Sequence, residues 1–245
     1  MLSRRGLEDL RSSKPAVAAV DFGFLKRASR NESLEPAESA RRFSIAPVPL
    51  IDGDARFIAD FLTRSQSDAY FSELLDLVDW TQHIIRIRGR EVASPRLSAW
   101  YGDPDAHYSY SGLSLEPSPW LPVILELKTR VEAASNAPFN SVLLNLYRDG
   151  ADSMGWHSDD EPELGERPVI ASLSLGATRR FRLRHRRRKD LEPVAIDLEN
   201  GSLLIMEGDT QRFWKHQISK SKRVAEPRVN LTFRNIWREP LAGGG

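Results

Sequence analysis

The segment Arg228-Val229-Asn230-Leu231-Thr232-Phe233-Arg234 alternates strictly between polar and apolar side chains. A strand sends successive side chains to opposite faces. Val229, Leu231 and Phe233 therefore share an apolar face, and Arg228, Asn230, Thr232 and Arg234 share the other. The stretch is β-rich, runs on into Asn235-Ile236-Trp237 and reads as interior. A lone buried charge costs several kcal/mol. Two inward guanidiniums thus call for anionic partners, and a small dicarboxylate suits them because each planar fork matches one carboxylate.

His157-Ser158-Asp159 sets an imidazole and a carboxylate two residues apart, on one side of an extended backbone. By itself the pair reads as a surface turn more readily than as a site. Of the other histidines (His83, His107, His185 and His216), only His216 falls mid-strand in the β-rich region, within 212–218. Two histidines and one carboxylate fill one face of iron(II) and leave positions open for substrate and oxygen. Zinc hydrolysis could use similar ligands, but it gives no reason for two inward arginines. A 2-oxo dicarboxylate does: its keto oxygen and one carboxylate chelate the metal, and the far carboxylate needs an arginine. Strand 141–148 adds Asn145 and Tyr147 on one side, an amide and a phenol that a bound carboxylate can use.

The elements around these residues follow from pattern. Helices are expected over 55–63, 68–78 and 118–134, the last entered through Ser118-Pro119. A hairpin with a basic tip, Arg88-Gly89-Arg90, is expected over 84–92. From 141 onward short strands recur at 141–148, 169–175, 179–185, 194–198, 202–206, 212–218 and 228–236. The rhythm is that of a β-sandwich or barrel. Residues 1–45 show no sustained period and read as a loosely ordered extension. The rest, 46–245, reads as one domain, with a helical part over 46–140 and a β core over 141–238.

Composition narrows the classes. The chain has 245 residues, 28% charged and 40% hydrophobic, with a net charge of +1, so polyanion affinity must come from local clustering. There are no cysteines, which removes disulfides, thiolate metal sites and cysteine nucleophiles. No apolar run is long enough to span a bilayer and no signal-peptide core is present, so no membrane partner is expected. The expected location is the cytoplasm, or the nucleus if the source is eukaryotic.

Taken together, these residues resemble the AlkB family of iron- and 2-oxoglutarate-dependent nucleic-acid dealkylases. The resemblance runs in order through Pro95-Arg96, Trp100-Tyr101-Gly102, Tyr108-Ser109-Tyr110-Ser111, Asn145-Leu146-Tyr147, His157 to Glu161, His216 and Arg228 to Arg234. Residues 145–165 and Met206-Glu207-Gly208 are most similar to the human member that prefers single strands. The resemblance implies a mainly β fold with flanking helices, built on a double-stranded β-helix (jelly-roll) core. Iron(II) would be held by His157, Asp159 and His216. The cosubstrate 2-oxoglutarate, used with O2, would lie on Asn145, Tyr147, Arg228, Asn230, Thr232 and Arg234. Tyr110 and the His157 ring would sandwich a flipped base, Tyr108 would line the pocket or contact phosphate, and Tyr101 would belong to the same substrate-binding set. Glu161 would meet the exocyclic amine, and Arg96 would pair with Asp160 at the pocket wall.

At the hairpin tip Arg88 stands where the duplex-acting relative carries an aromatic wedge. An arginine tracks phosphates better than it replaces a base. Arg179 to Lys189 holds eight basic residues in eleven positions, a solvated edge hairpin or a polyanion surface. The expected activity is oxidative demethylation of 1-methyladenine and 3-methylcytosine in single-stranded DNA or RNA, a DNA-damage repair chemistry releasing formaldehyde, by a monomer. Two alternatives stand beside it: an iron/2-oxoglutarate hydroxylase of a protein side chain or small molecule, and a non-catalytic nucleic-acid-binding module.

Overall fold

The computed structural model describes residues 44–87, 89–106, 108–110 and 113–237, with 86–87, 108–110 and 113–115 as backbone alone. All but the last two residues of the expected extension 1–45 lie outside the described residues, as does Arg88. In chain order the elements begin β1 (Ile45–Pro47), β2 (Asp54–Ile58), α1 (Arg64–Leu77), β3 (Ile84–Ile87), β4 (Arg90–Ala93) and β5 (Leu97–Gly102). They continue with β6 (Tyr108–Tyr110), β7 (Leu113–Leu115), α2 (Pro122–Ser135), β8 (Ser141–Tyr147) and β9 (Met154–His157). The remainder is β10 (Ile170–Gly176), β11 (Arg179–His185), β12 (Val194–Leu198), β13 (Ser202–Glu207), α3 (Thr210–Phe213), β14 (Trp214–Ile218) and β15 (Arg228–Arg234).

Two sheets make a jelly-roll core. The larger runs β1-β2-β13-β10-β15-β8-β5, the smaller β12-β11-β14-β9, and β3–β4 and β6–β7 are separate hairpins. Alternation in β15 works as expected. Val229, Leu231 and Phe233 join Leu144, Leu146, Leu173 and Leu175 in a core shared with Leu74 of α1 and Ile124 and Leu127 of α2. The opposite face of the larger sheet turns toward the smaller one, where Leu143, Leu204 and Met206 pack with Phe181, Leu183 and Ile218. The polar face of β15 is thereby enclosed between the sheets.

The helix expected over 55–63 is instead strand β2 and a turn. Phe57, Ile58, Phe61 and Leu62 satisfy helical spacing, but backbone pairing with β13, Ile58 opposite Leu203, decides the matter. Helix α1 starts ahead of 68 because Thr63 and Gln66 form a reciprocal capping box. Helix α2 starts at Pro122, later than expected, because Ser118 is held by the Trp100 carbonyl. The expected strand 212–218 is split by α3, and β5 and β9 were not anticipated.

Candidate metal and dicarboxylate site

His157 ends β9 and His216 lies opposite it on β14, so strand pairing brings the two imidazoles together. Their ring centroids are 4.2 Å apart. Asp159, two residues past His157, reaches between them: its Oδ1 lies 3.7 Å from His157 Nε2 and its Oδ2 3.9 Å from His216 Nε2. One ligand atom from each of the three falls within 4.8 Å of the others. His157 Nδ1 sits 2.8 Å from the Gly155 carbonyl. A carbonyl only accepts, so the proton is on Nδ1 and the Nε2 lone pair is left for a metal.

Electrostatics keep this set ready to ligate. Burial would raise the Asp159 carboxyl, but Arg234 and the two imidazoles hold it down at about 2. Arg234 Nη2 donates to Asp159 Oδ1 at 2.9 Å. Burial drives His216 down to about 3, with His157 pushing the same way, so its ring is neutral. Phe181 stacks on that ring at 5.1 Å. Gln211, buried on α3, accepts from the Asp159 backbone N–H at 3.0 Å and so fixes the carboxylate's stem. Two imidazoles and one carboxylate fit iron(II).

A second polar group adjoins the first along β15. The register sets Arg228 opposite Tyr147 and Asn230 opposite Asn145 on β8, with Ser174 and Ser172 of β10 opposite Asn230 and Thr232. Asn230 Nδ2 donates to Ser172 Oγ at 2.8 Å, and Thr232 Oγ1 donates to Asn230 Oδ1 at 3.1 Å. Arg228 is 1% exposed and donates from Nη2 to Ser174 Oγ at 2.9 Å, while its Nε and Nη1 have no hydrogen-bond partner among the described residues. Burial lowers its pKa to about 10. A buried guanidinium with two donors to spare is what a carboxylate would complete. Asn145, Tyr147, His157, Asp159, His216, Arg228, Asn230, Thr232 and Arg234 all line one pocket.

Two expected pocket residues are placed differently. Arg96 is buried and its Nε donates to Asn145 Oδ1 at 2.7 Å, steering an amide of the pocket, whereas Asp160 pairs with Arg186 Nη1 at 2.7 Å. Tyr101 faces the helix-side core: on β5 it pairs with Val142, and strand alternation puts Trp100 on the other face. Glu161 is half-buried at the start of the 3-10 turn Pro162–Leu164, four residues past His157. Tyr108 and Tyr110 lie on hairpin β6–β7, and their side chains, like Arg88, are outside what the structure describes. Ser172 and Ser174 escaped the sequence reading although Ala171-Ser172-Leu173-Ser174-Leu175 carries the alternation that marks them. No sequence pattern marks Gln211.

The basic run 179–189 is not one free surface. Arg180 pairs with Asp197, Arg186 with Asp160 and Arg188 with Asp190. Arg179 is buried. Arg182, Arg184 and Arg187 are exposed, Arg184 lying over the Trp156 ring at 4.2 Å from its centroid.

Comparison with known proteins agrees with this geometry. Residues 54–234 match the family described as the 2OG-Fe(II) oxygenase superfamily. The chain is 45% identical to mouse alpha-ketoglutarate-dependent dioxygenase alkB homolog 3 over 74% of its own length and 65% of that protein's. It is 41% identical to mouse DNA oxidative demethylase ALKBH2 over 71% of its length and 76% of the relative's. The chain thus spans just under two thirds of the first of these relatives. Among solved structures, OsALKBH1 superposes with a TM-score of 0.54 at 20% identity, covering 77% of this chain and all of that one. A prolyl hydroxylase from Trichoplax adhaerens superposes with a TM-score of 0.52 at 15% identity over 74% of this chain and 83% of that one; both share the fold. With the facial ligand set and the arginine strand enclosed in that fold, the chain belongs to the 2OG-Fe(II) oxygenase superfamily, among the relatives named as alkB homologues.

Proposed function

We propose that this chain is an iron(II)- and 2-oxoglutarate-dependent dioxygenase that removes N-methyl groups from bases in nucleic acid, with single strands preferred, acting as a monomer. The observation that carries the reading is the pairing of a three-ligand site with a buried, partly unpartnered Arg228 in a chain 45% identical to an alkB homologue. When bound, iron(II) with 2-oxoglutarate and O2 supplies a two-electron oxidation of a C–H bond. The protein's part is positioning. His157, Asp159 and His216 would hold the metal, and Arg228 would take the distal carboxylate with Ser174 fixing its fork. Arg234 would keep Asp159 ionised at the chelating end. A hydroxylated N-methyl group collapses to formaldehyde and the free base. Methylation at a pairing edge weakens pairing, so such bases are cheap to unstack. The exposed Arg182, Arg184 and Arg187 offer phosphate contacts.

The test is incubation with iron(II), 2-oxoglutarate and oligonucleotides carrying 1-methyladenine or 3-methylcytosine, single against double stranded and DNA against RNA, with base products read by mass spectrometry. Restored base in the single strands, absent without 2-oxoglutarate, is the expected result. Intact methylated base in every oligonucleotide, with 2-oxoglutarate turned over on a protein or small molecule, would move the reading to that substrate class.

A further inference from the structure

Arg179 belongs by sequence to the basic run, yet it is 2% exposed and cannot meet a polyanion. Its Nη1 donates to the Asp149 carbonyl at 3.0 Å, and its Nη2 donates to the carbonyls of Asp152 and Ser219, each at 2.8 Å. It thereby ties the turn after β8 to the segment after β14. None of these acceptors carries a formal charge. The nearby Asp152 carboxylate is already engaged by Arg148 at 2.8 and 2.9 Å.

Arg179 also shares a ring with the cosubstrate arginine. Its Cζ lies 5.5 Å from the Tyr147 centroid and that of Arg228 lies 5.2 Å from the same centroid. Two buried guanidiniums thus flank one tyrosine, and neither forms an ion pair with a carboxylate among the described residues. Like charges in a low dielectric raise each other's cost. Burial lowers the pKa of both; the Arg179 charge lowers that of Arg228 further, while Tyr147, Asp152 and Asp149 act the other way on Arg179. An anion bound at the Arg228 end would offset the cost that the Arg179 charge adds there.

We infer that Arg179 is a positioning residue for the dicarboxylate. Its charge, set behind Tyr147, makes the Arg228 end of the pocket select a dianionic cosubstrate over a 2-oxo acid with an apolar tail. The inference rests on the reading that Arg228 receives the distal carboxylate.

The experiment is calorimetric titration of 2-oxoglutarate and of 2-oxopentanoate, which has the same chelating end but no distal carboxylate. The protein carries manganese(II) in place of iron, so binding is read without turnover. Arg179→Gln, neutral but still able to donate, is expected to weaken 2-oxoglutarate about tenfold and to leave 2-oxopentanoate within about twofold. Arg179→Lys is expected to keep the selectivity within about threefold of the wild type. Parallel weakening of both ligands in Arg179→Gln, or no change in either, would overturn the inference by making Arg179 a scaffold residue only. Should Arg179→Gln fail to fold, Arg179→Lys decides alone: retained selectivity supports the inference, and selectivity as low as that of Arg228→Gln overturns it. Arg228→Gln separates the two layers. If it leaves 2-oxoglutarate binding unchanged, the underlying pocket assignment fails; if it abolishes selectivity while Arg179→Gln does not, only the role of Arg179 fails.

Discussion

His157 and Asp159, two of the three candidate metal ligands, and Arg228 are each held by a partner that fixes a protonation state or an orientation. Gly155 sets the His157 tautomer, Arg234 keeps Asp159 ionised and Ser174 steadies the Arg228 fork. Replacing His157, Asp159 or His216 with Ala should therefore abolish iron-dependent turnover while the fold survives, read as lost metal binding with an unchanged far-ultraviolet spectrum. Arg228→Ala should raise the KM for 2-oxoglutarate about 10- to 100-fold, the worth of a charge-assisted hydrogen bond of about 1.5–3 kcal/mol. Arg228→Lys should recover part of it. The depressed pKa of His216 also sets a pH dependence for the metal-free protein. Below 6.5 the unfolded chain takes up a proton that the native chain refuses until about 3, so the stability is fully present above that window and falls within it. Between pH 7 and 5 the loss should be about 2 kcal/mol, and His216→Gln should flatten that slope in denaturant titrations. At this scale the sequence was most readable where side-chain type and alternation coincide, as in β15. It was least readable where a residue acts through the backbone, as Gln211 does on Asp159.

Strands showed themselves through period-two patterning, and the misreadings arose where pairing partners decide. The segment 55–63 has helical spacing, yet β13 takes it as a strand neighbour. The family resemblance puts Tyr101 at the pocket, but its register against Val142 turns it to the helix side. In β11, alternation was legible while the pairing of charges was not: Asp197, Asp160 and Asp190 come from other segments or past the turn. Exchanging Arg182, Arg184 and Arg187 together for Gln should weaken single-strand binding and reduce the slope of log affinity against log salt by about 2, at roughly 0.7 per phosphate contact. Exchanging Arg180 and Arg188, already neutralised by Asp197 and Asp190, should alter it less. Hairpin β3–β4 turns at Gly89, with φ +78°, the residue that follows Arg88 in sequence. Arg88→Phe should narrow the gap between single-strand and duplex rates, because an apolar plate can fill the space of an extruded base. An unchanged ratio would place strand opening elsewhere.

On the scale of the molecule, helices α1 and α2 cover one face of the larger sheet, so the smaller sheet can close over the other and bury the polar row of β15. No described helix is long and apolar enough to cross a membrane. The measurement that tests the account most directly is the stoichiometry of turnover on a single-stranded oligonucleotide carrying 1-methyladenine. Formaldehyde and succinate are quantified together, with and without iron(II). The account predicts about one formaldehyde per succinate, both lost when the metal is removed or His216 is replaced. Succinate without formaldehyde, or base restoration that persists in the metal-stripped protein, would contradict it.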